Sequence, residues 1–491
     1  MGPTPRQLRR RGLLDRLGWY ETRDDDAVLT SSRQVGPTMP ALVGGGDRDY
    51  CGPIIGMDDE TGQAIGSDPF SLYRLGMLES VNVLIVGDVG VGKSTLVKHH
   101  YGMNQLATGA RLCCFDRKFQ KRSTTGRDVA GDGEYGRLAE VARRSGLTVT
   151  QVVFSRTGGA RINLLDPQIS AQSSDGDDQT VGQDQLLAMV AEMAHGPLET
   201  LERHCLNAAH RKALITAAAE GRVPVLGDVV EALYTLDESA IPHENLAQAG
   251  IVDTTDLLSW ALKLAIDLER FITTDLSGFI DGETQGADGQ PLDLSASDFL
   301  LVDTSGLVEG SHELAIVMAI MTTFVSSVWA ADPRPSIVVL EEGYSADLPT
   351  VGAVFYGLAK RGRGIGMSLI LVIHHLADIP DSSKLRALVN EAGIVHVFRQ
   401  HVASHATESV VAFNLPIDTG DLSRLPKGTH VLKEGTVRPV RRITHTRTEL
   451  SRWVTWTDDA LAGGSAGPPN PFTQPDTTAT GFVAAEEEGL R

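Results

Sequence analysis

At 491 residues, 42% of them hydrophobic and 22% charged, the chain is long enough for a large core with an inserted or appended part, and this composition excludes wholesale disorder or a membrane-embedded fold. Lys plus Arg number 44 against 63 Asp plus Glu, and the net charge of −19 excludes a surface that wraps nucleic acid non-specifically, leaving only a local basic channel for such a partner. Four cysteines, Cys51, Cys113, Cys114 and Cys205, offer neither the density of a disulfide framework nor a CxxC pair for zinc, which points to a reducing compartment.

Residues 1–50 mix Arg, Asp, Gly and Pro without sustained periodicity and read as a flexible arm closed by Gly44, Gly45 and Gly46. Its basic cluster, Arg6, Arg9, Arg10 and Arg11, is followed by Gly12, Asp15 and Arg16 instead of an apolar stretch, so it is no secretory signal and a cytoplasmic location is expected. Leu8, Leu13, Leu14 and Leu17 either line one face of a short basic helix, docking on a partner or on the cytoplasmic membrane surface, or belong to a solvated arm.

From Val81 onward short apolar runs alternate with longer helical ones, the pattern of an α/β fold with a mostly parallel sheet flanked by helices. The predicted core strands are 82–86, 111–115, 148–154, 298–302, 336–340, 369–373 and 394–398, most of them apolar enough to be buried on both faces. A Ser, Asp and Gln-rich stretch from 170 to 185 interrupts the alternation. Beyond it Leu201, Leu206, Leu214 and Ile215 fall at helical spacing, so residues 170–271 read as an all-helical insertion that splits the core into 51–169 and 272–456. Residues 314–331 carry no charge and are just long enough to span a bilayer. Thr322, Thr323, Ser326 and Ser327 dilute that apolarity between two predicted strands, so a buried crossover helix is expected and no integral membrane segment. Residues 457–491, with Pro468, Pro469, Pro471 and Pro475 and a run of glutamates, read as a disordered tail.

Gly87-Asp88-Val89-Gly90-Val91-Gly92-Lys93-Ser94 matches GxxxxGK[ST] between an apolar strand and a helical segment, the context in which backbone amides curl around phosphates at a helix N-terminus. In that reading the loop, continued by Thr95, binds ATP, Lys93 neutralises the β- and γ-phosphates and Ser94 supplies a hydroxyl to Mg2+. Hydrolysis also needs a carboxylate for the metal and one for water. Glu341 and Glu342, directly after the apolar run 336–340, are assigned those two roles. Asp303-Thr304-Ser305-Gly306 lacks the Gly directly after Asp-Thr that an aspartic-protease motif requires, and is read as a loop capping the next helix.

These motifs resemble the FtsK/HerA superfamily of ring-forming ATPases, and within it the TraC-like ATPases of conjugation and type IV secretion, over residues 52–434. Residues 358–374 look like the family's passage from its arginine-bearing helix end into a sensor strand, which here ends in Ile373-His374 where members commonly have Thr-Gln. The resemblance implies a RecA-like core, an oligomer in the form of a six-membered ring, Arg361 and Arg363 reaching the ATP of the neighbouring subunit, with Arg363 preferred, and His374, or the adjacent His375, reading the γ-phosphate. The secretion branch is suggested by Arg161-Ile162-Asn163-Leu164-Leu165-Asp166-Pro167 and by Glu134-Tyr135-Gly136-Arg137-Leu138, similar to that branch's Ile-Asn-Pro-Leu-Asp and Glu-Tyr elements, while Glu341 replaces its usual Asp. The implied function is a motor that powers protein export or pilus assembly with secretion or conjugation machinery at the inner face of the membrane. Two alternatives stand beside it. One is a DNA translocase or coupling ATPase with Arg117, Lys118, Lys121, Arg122 and Arg127 on pore loops; the other is a nucleotide-gated scaffold with weak hydrolysis, motivated by Glu341 and His374.

Overall fold

A computed structural model describes residues 9–10, 20–21, 51–117, 133–155, 158–170, 181–237, 254–308, 311–332, 334–341, 349–380, 383–456, 468 and 470–472. Within them the apolar runs are strands of one 11-stranded sheet. In chain order the strands are β1 (Ile54–Asp58), β2 (Ala64–Gly66), β3 (Val83–Val86), β4 (Arg111–Asp116), β5 (Val149–Val153), β6 (Phe299–Asp303), β7 (Ser336–Leu340), β8 (Met367–Ile373), β9 (Ile394–Phe398), β10 (Thr429–Glu434) and β11 (Arg441–His445). Their spatial order is β2-β1-β11-β10-β9-β3-β8-β7-β4-β6-β5. Every pairing from β9 to β5 is parallel, and every pairing from β9 to β2 is antiparallel.

The parallel block consists of the seven strands read from the sequence, with ends moved by no more than two residues. β3, β4, β7, β8 and β9 are buried at every position because helices cover both faces, which is why their apolarity is continuous. On one face Val83, Ile85, Ile337 and Val339 pack beneath α1 (residues 93–107, in π geometry over Val97–Asn104) and α2 (Gly136–Arg144). On the other face Leu84, Val86, Val338 and Leu340 share a core with α3 (Val181–His195), α4 (Thr200–Ala219), α5 (Leu226–Tyr234), α6 (Thr254–Thr274), α7 (His312–Ala330), α8 (Pro349–Ile365) and α9 (Ala403–Phe413). The helices between β5 and β6 are tied to the segment before them. Asn163 Nδ2 donates to Pro224 O at 2.8 Å and Gln183 Nε2 to Leu165 O at 2.8 Å.

α7 is long and apolar enough to cross a membrane, yet 83% of its most apolar stretch is buried. It is the crossover helix from β6 to β7, capped by Ser311, whose hydroxyl accepts from Leu314 N at 3.2 Å. The Asp303–Gly306 loop therefore does not cap it: Thr304 N instead donates to Asp116 O at 2.8 Å. In the N-terminal arm Arg9–Arg10 pairs antiparallel with Tyr20–Glu21, an extended pairing where the sequence allowed a basic helix.

Three buried contacts tie the segment entering β3 to the start of β8 and to α8, which fixes the two strands side by side. Asn82 Nδ2 donates to Ala359 O (3.1 Å), Leu369 N donates to Asn82 Oδ1 (3.1 Å), and Ser368 Oγ donates to Val81 O (2.6 Å). With Val86 opposite Ile373, the residues that follow each strand, Gly87 and His374, emerge side by side.

Candidate active site

The loop after β3 has a conformation only glycines permit at two points. Gly92 sits at φ 117°, and a Cβ on Gly87 would lie 2.5 Å from Phe398 Cβ on β9. The loop is anchored outside itself: Asp88 N donates to Arg399 O (3.1 Å) and Gly428 N to Val91 O (2.9 Å), while the Asp88 carboxylate accepts from His401 N at Oδ2 (2.6 Å). The loop is thus held open at the N-terminus of α1, where unpaired amides and the helix dipole favour an anion.

Lys93 is 7% exposed. Its ammonium donates to Gly87 O and, at 2.8 Å, to Asp88 O, and lies 3.0 Å from His374 Nδ1. An ammonium only donates, so this contact assigns His374 as a neutral ring accepting at Nδ1. The structure thereby brings together the loop lysine and the histidine that follows β8.

Glu341 follows β7 directly. Its Oε1 accepts from Tyr135 Oη at 2.7 Å and its Oε2 from Ser94 Oγ at 3.4 Å. Burial, then the charge of Glu341, pushes the Tyr135 phenol well up, which keeps it protonated and able to donate. Tyr135 is itself placed by its backbone N–H on Asp116 Oδ2 (3.0 Å) at the end of β4, and Glu134 is paired with buried Lys98 at 2.8 Å. The Glu-Tyr element, read from the sequence only as a branch marker, is therefore part of the site. Ser94 Oγ and Glu341 Oε2, a hydroxyl and a carboxylate oxygen 3.4 Å apart, are the hard oxygen donors that would suit Mg2+ here.

These groups line a cavity of about 470 Å³ with Val89, Gly90, Gly92, Thr95 and Ile373. Sequence reasoning missed the rest of its wall, Lys427, Arg447, Arg452, Thr455, Trp456 and Pro468. The one signal available was the density of arginines between 438 and 452, which has no motif spacing. Pro468 belongs to the stretch read as a tail, and Phe472 of the same stretch packs edge-on against Trp453, ring centroids 5.7 Å apart.

Two expectations lie elsewhere. Glu342 falls outside the described residues, as do Lys118, Lys121, Arg122 and Arg127. Arg361 and Arg363 are exposed at the end of α8 that leads into the start of β8, and the 7 residues of that strand, at ~3.3 Å each, put them roughly 20 Å from the cavity of their own chain. They are not among the described residues that line that cavity.

VirB4 of Thermoanaerobacter pseudethanolicus aligns over 82% of this chain and 98% of its own, at TM-score 0.59 and 17% identity. The bacterial conjugative coupling protein TrwB, in complex with ADP and Mg2+, aligns more loosely, over 75% of this chain and 85% of its own at TM-score 0.45 and 13% identity. No protein-family model and no curated protein sequence matches significantly, so the likeness is one of structure. The chain has a RecA-like P-loop NTPase fold, shared with that VirB4, and its Lys93, Ser94, Glu341 and His374 lie around one cavity.

Proposed function

We propose that the chain belongs with the FtsK/HerA ATPases and is the ATP-hydrolysing motor of a conjugative or type IV secretion-like apparatus, powering protein export or pilus assembly from the cytoplasmic face of the membrane. The observation that carries the reading is the meeting of Lys93, Ser94 and Glu341 in one cavity at the carboxyl ends of parallel strands. The fold shared with VirB4 supports the choice of apparatus.

In this reading residues 87–95 cradle the triphosphate, Lys93 moves from the loop carbonyls to the β- and γ-oxygens, and Ser94 and Glu341 hold Mg2+. Bound there, the cation supplies charge neutralisation at the transferring phosphoryl group. Tyr135 holds the Glu341 carboxylate in place, Glu342 orients the attacking water, and His374 follows Lys93 to the γ-phosphate. Arg363, with Arg361 beside it, completes the neighbouring site in a homo-hexameric ring. Residues 51–169 and 272–456 form the motor core, and 170–271 its helical insertion.

The test is phosphate release by the full chain, alone, with single- and double-stranded DNA, and with membranes holding secretion components. The expected result is turnover raised by those membranes, indifferent to DNA, and cut by roughly 10²–10⁴ in Glu342→Gln, the usual contribution of a positioned base. Strong stimulation by DNA would overturn export in favour of translocation, and no turnover under any condition would leave a nucleotide-gated scaffold.

A further inference from the structure

The cavity has two kinds of wall. The loop and strand ends offer amides, a lysine and oxygen donors, which suit phosphate and metal, and the one flat group among the described residues there is the His374 ring, already engaged with Lys93. The remainder comes from one short C-terminal stretch, with Lys427 and Pro468 beside it. We propose that residues 447–456 form the base-binding wall of the nucleotide site, Trp456 stacking on the base while Arg447 and Arg452 take polyphosphate charge. The inference rests on the nucleotide reading above and deepens it.

The wall is held by packing that does not depend on any ligand. α10 (Glu449–Val454) lies over α1 and α2, with Trp453 buried, the Arg137 guanidinium 5.4 Å from its ring and donating to Trp453 O at 3.0 Å. Thr448 caps the helix, accepting from Ser451 N at 3.1 Å. At the other end Thr455 Oγ1 donates to Ser451 O (2.8 Å) and accepts from Arg447 Nη1 (3.3 Å), so both ends of the stretch are joined. Trp456 follows directly and, apart from His374, is the only aromatic ring among the described residues that line the cavity.

Charge points the same way. The two carboxylates in the lining are engaged, Glu341 with Tyr135 and Ser94, and Glu134 with Lys98. Arg447 and Arg452 face each other's charge. Burial, then the charge of Arg452, disfavours the charged form of Arg447, a cost that a bound polyanion relieves. A ring face gains from any stacked base, and removing such a ring costs about tenfold or more in affinity.

The experiment titrates the full chain calorimetrically with Mg-ATP and with Mg-tripolyphosphate, which has the phosphates and lacks the base. Wild type binds both, ATP more tightly. Trp456→Ala weakens ATP about tenfold and leaves tripolyphosphate unchanged, Trp456→Phe restores ATP to within about twofold, and Arg447→Ala weakens both. The base wall is overturned if Trp456→Ala leaves ATP affinity intact, or lowers ATP and tripolyphosphate equally. Failure of wild type to bind either probe overturns the nucleotide reading itself, and the two failures are therefore distinct.

Discussion

The two halves of the sheet meet on the same helix and differ in kind. The parallel half packs apolar strands on both faces, and beyond the carboxyl end of β3 Lys93 and Ser94 begin α1. The antiparallel half buries polarity in its interior. One or two turns further along α1, His99, His100 and Tyr101 pack against His396 of β9, His430 of β10 and His445 of β11. His99 Nδ1 is 2.6 Å from His445 Nε2, Tyr101 Oη is 2.7 Å from His396 Nε2, and the His396 and His430 rings are 4.9 Å apart. Apolar packing holds over all ordinary pH, whereas buried imidazoles hold only while neutral. One half of the sheet thus gives the phosphate loop a fixed base, and the other gives it a support conditional on protonation.

Acid should therefore break the antiparallel half first, and this is the largest effect expected. Burial, then Arg447, lowers His99 to about 4; burial, then His99, lowers His100 to about 3; and burial lowers His430 to about 3. His396 and His445 are lowered too, burial first and neighbouring histidines after it. Each folded value lies below the unfolded 6.5, so stability is complete above pH 6.5 and lost as pH falls, the unfolded chain taking up protons that the folded chain refuses. Below pH 6.5 each of the five adds to the cost of keeping the chain folded, and together that cost is comparable with the ~5–15 kcal/mol of a whole domain. Circular dichroism against pH should show cooperative unfolding near pH 5, with about five protons taken up. An uptake of one proton or fewer would erase the contrast between the halves.

A smaller effect sharpens the parallel side. Tyr135→Phe removes the donor to Glu341, and turnover should fall about tenfold with ATP affinity held within about twofold, because a bond to a charged group contributes ~1.5–3 kcal/mol. Smallest is His430→Leu. Neither ring nitrogen of His430 has a hydrogen-bond partner among the described residues, so this change should stabilise the chain by about 1 kcal/mol at pH 7 and lower the acid uptake by about one proton. Calorimetry at pH 7 and 5.5 measures both parts.

The same contrast explains what could be read from the sequence. Uniform burial makes a strand such as Ser336–Leu340 a bare apolar run, legible without context, and the loop 87–94 is fixed by local spacing. β10 and β11, Thr-His-Val-Leu-Lys-Glu and Arg-Arg-Ile-Thr-His, carry charges, Lys433, Arg441 and Arg442 at partly or fully exposed positions and Glu434 buried against Arg438, so neither looks like a run of anything. The histidine cluster gathers residues from segments hundreds of positions apart, and the 447–456 stretch meets the Lys93 loop across a similar separation, so no spacing announces either meeting. Glu134 and Tyr135 were visible as a motif, yet their contact with Glu341 required the end of β4 to be placed beside β7.

The central claim is that the Lys93 loop and Glu341 make one site for a triphosphate and its metal. Its most direct test is phosphate release from ATP by the full chain in Mg2+, in EDTA, and in Lys93→Ala. The account predicts release that falls at least about a hundredfold in EDTA and in the variant alike. Release that survives Lys93→Ala undiminished, with or without Mg2+, would contradict it.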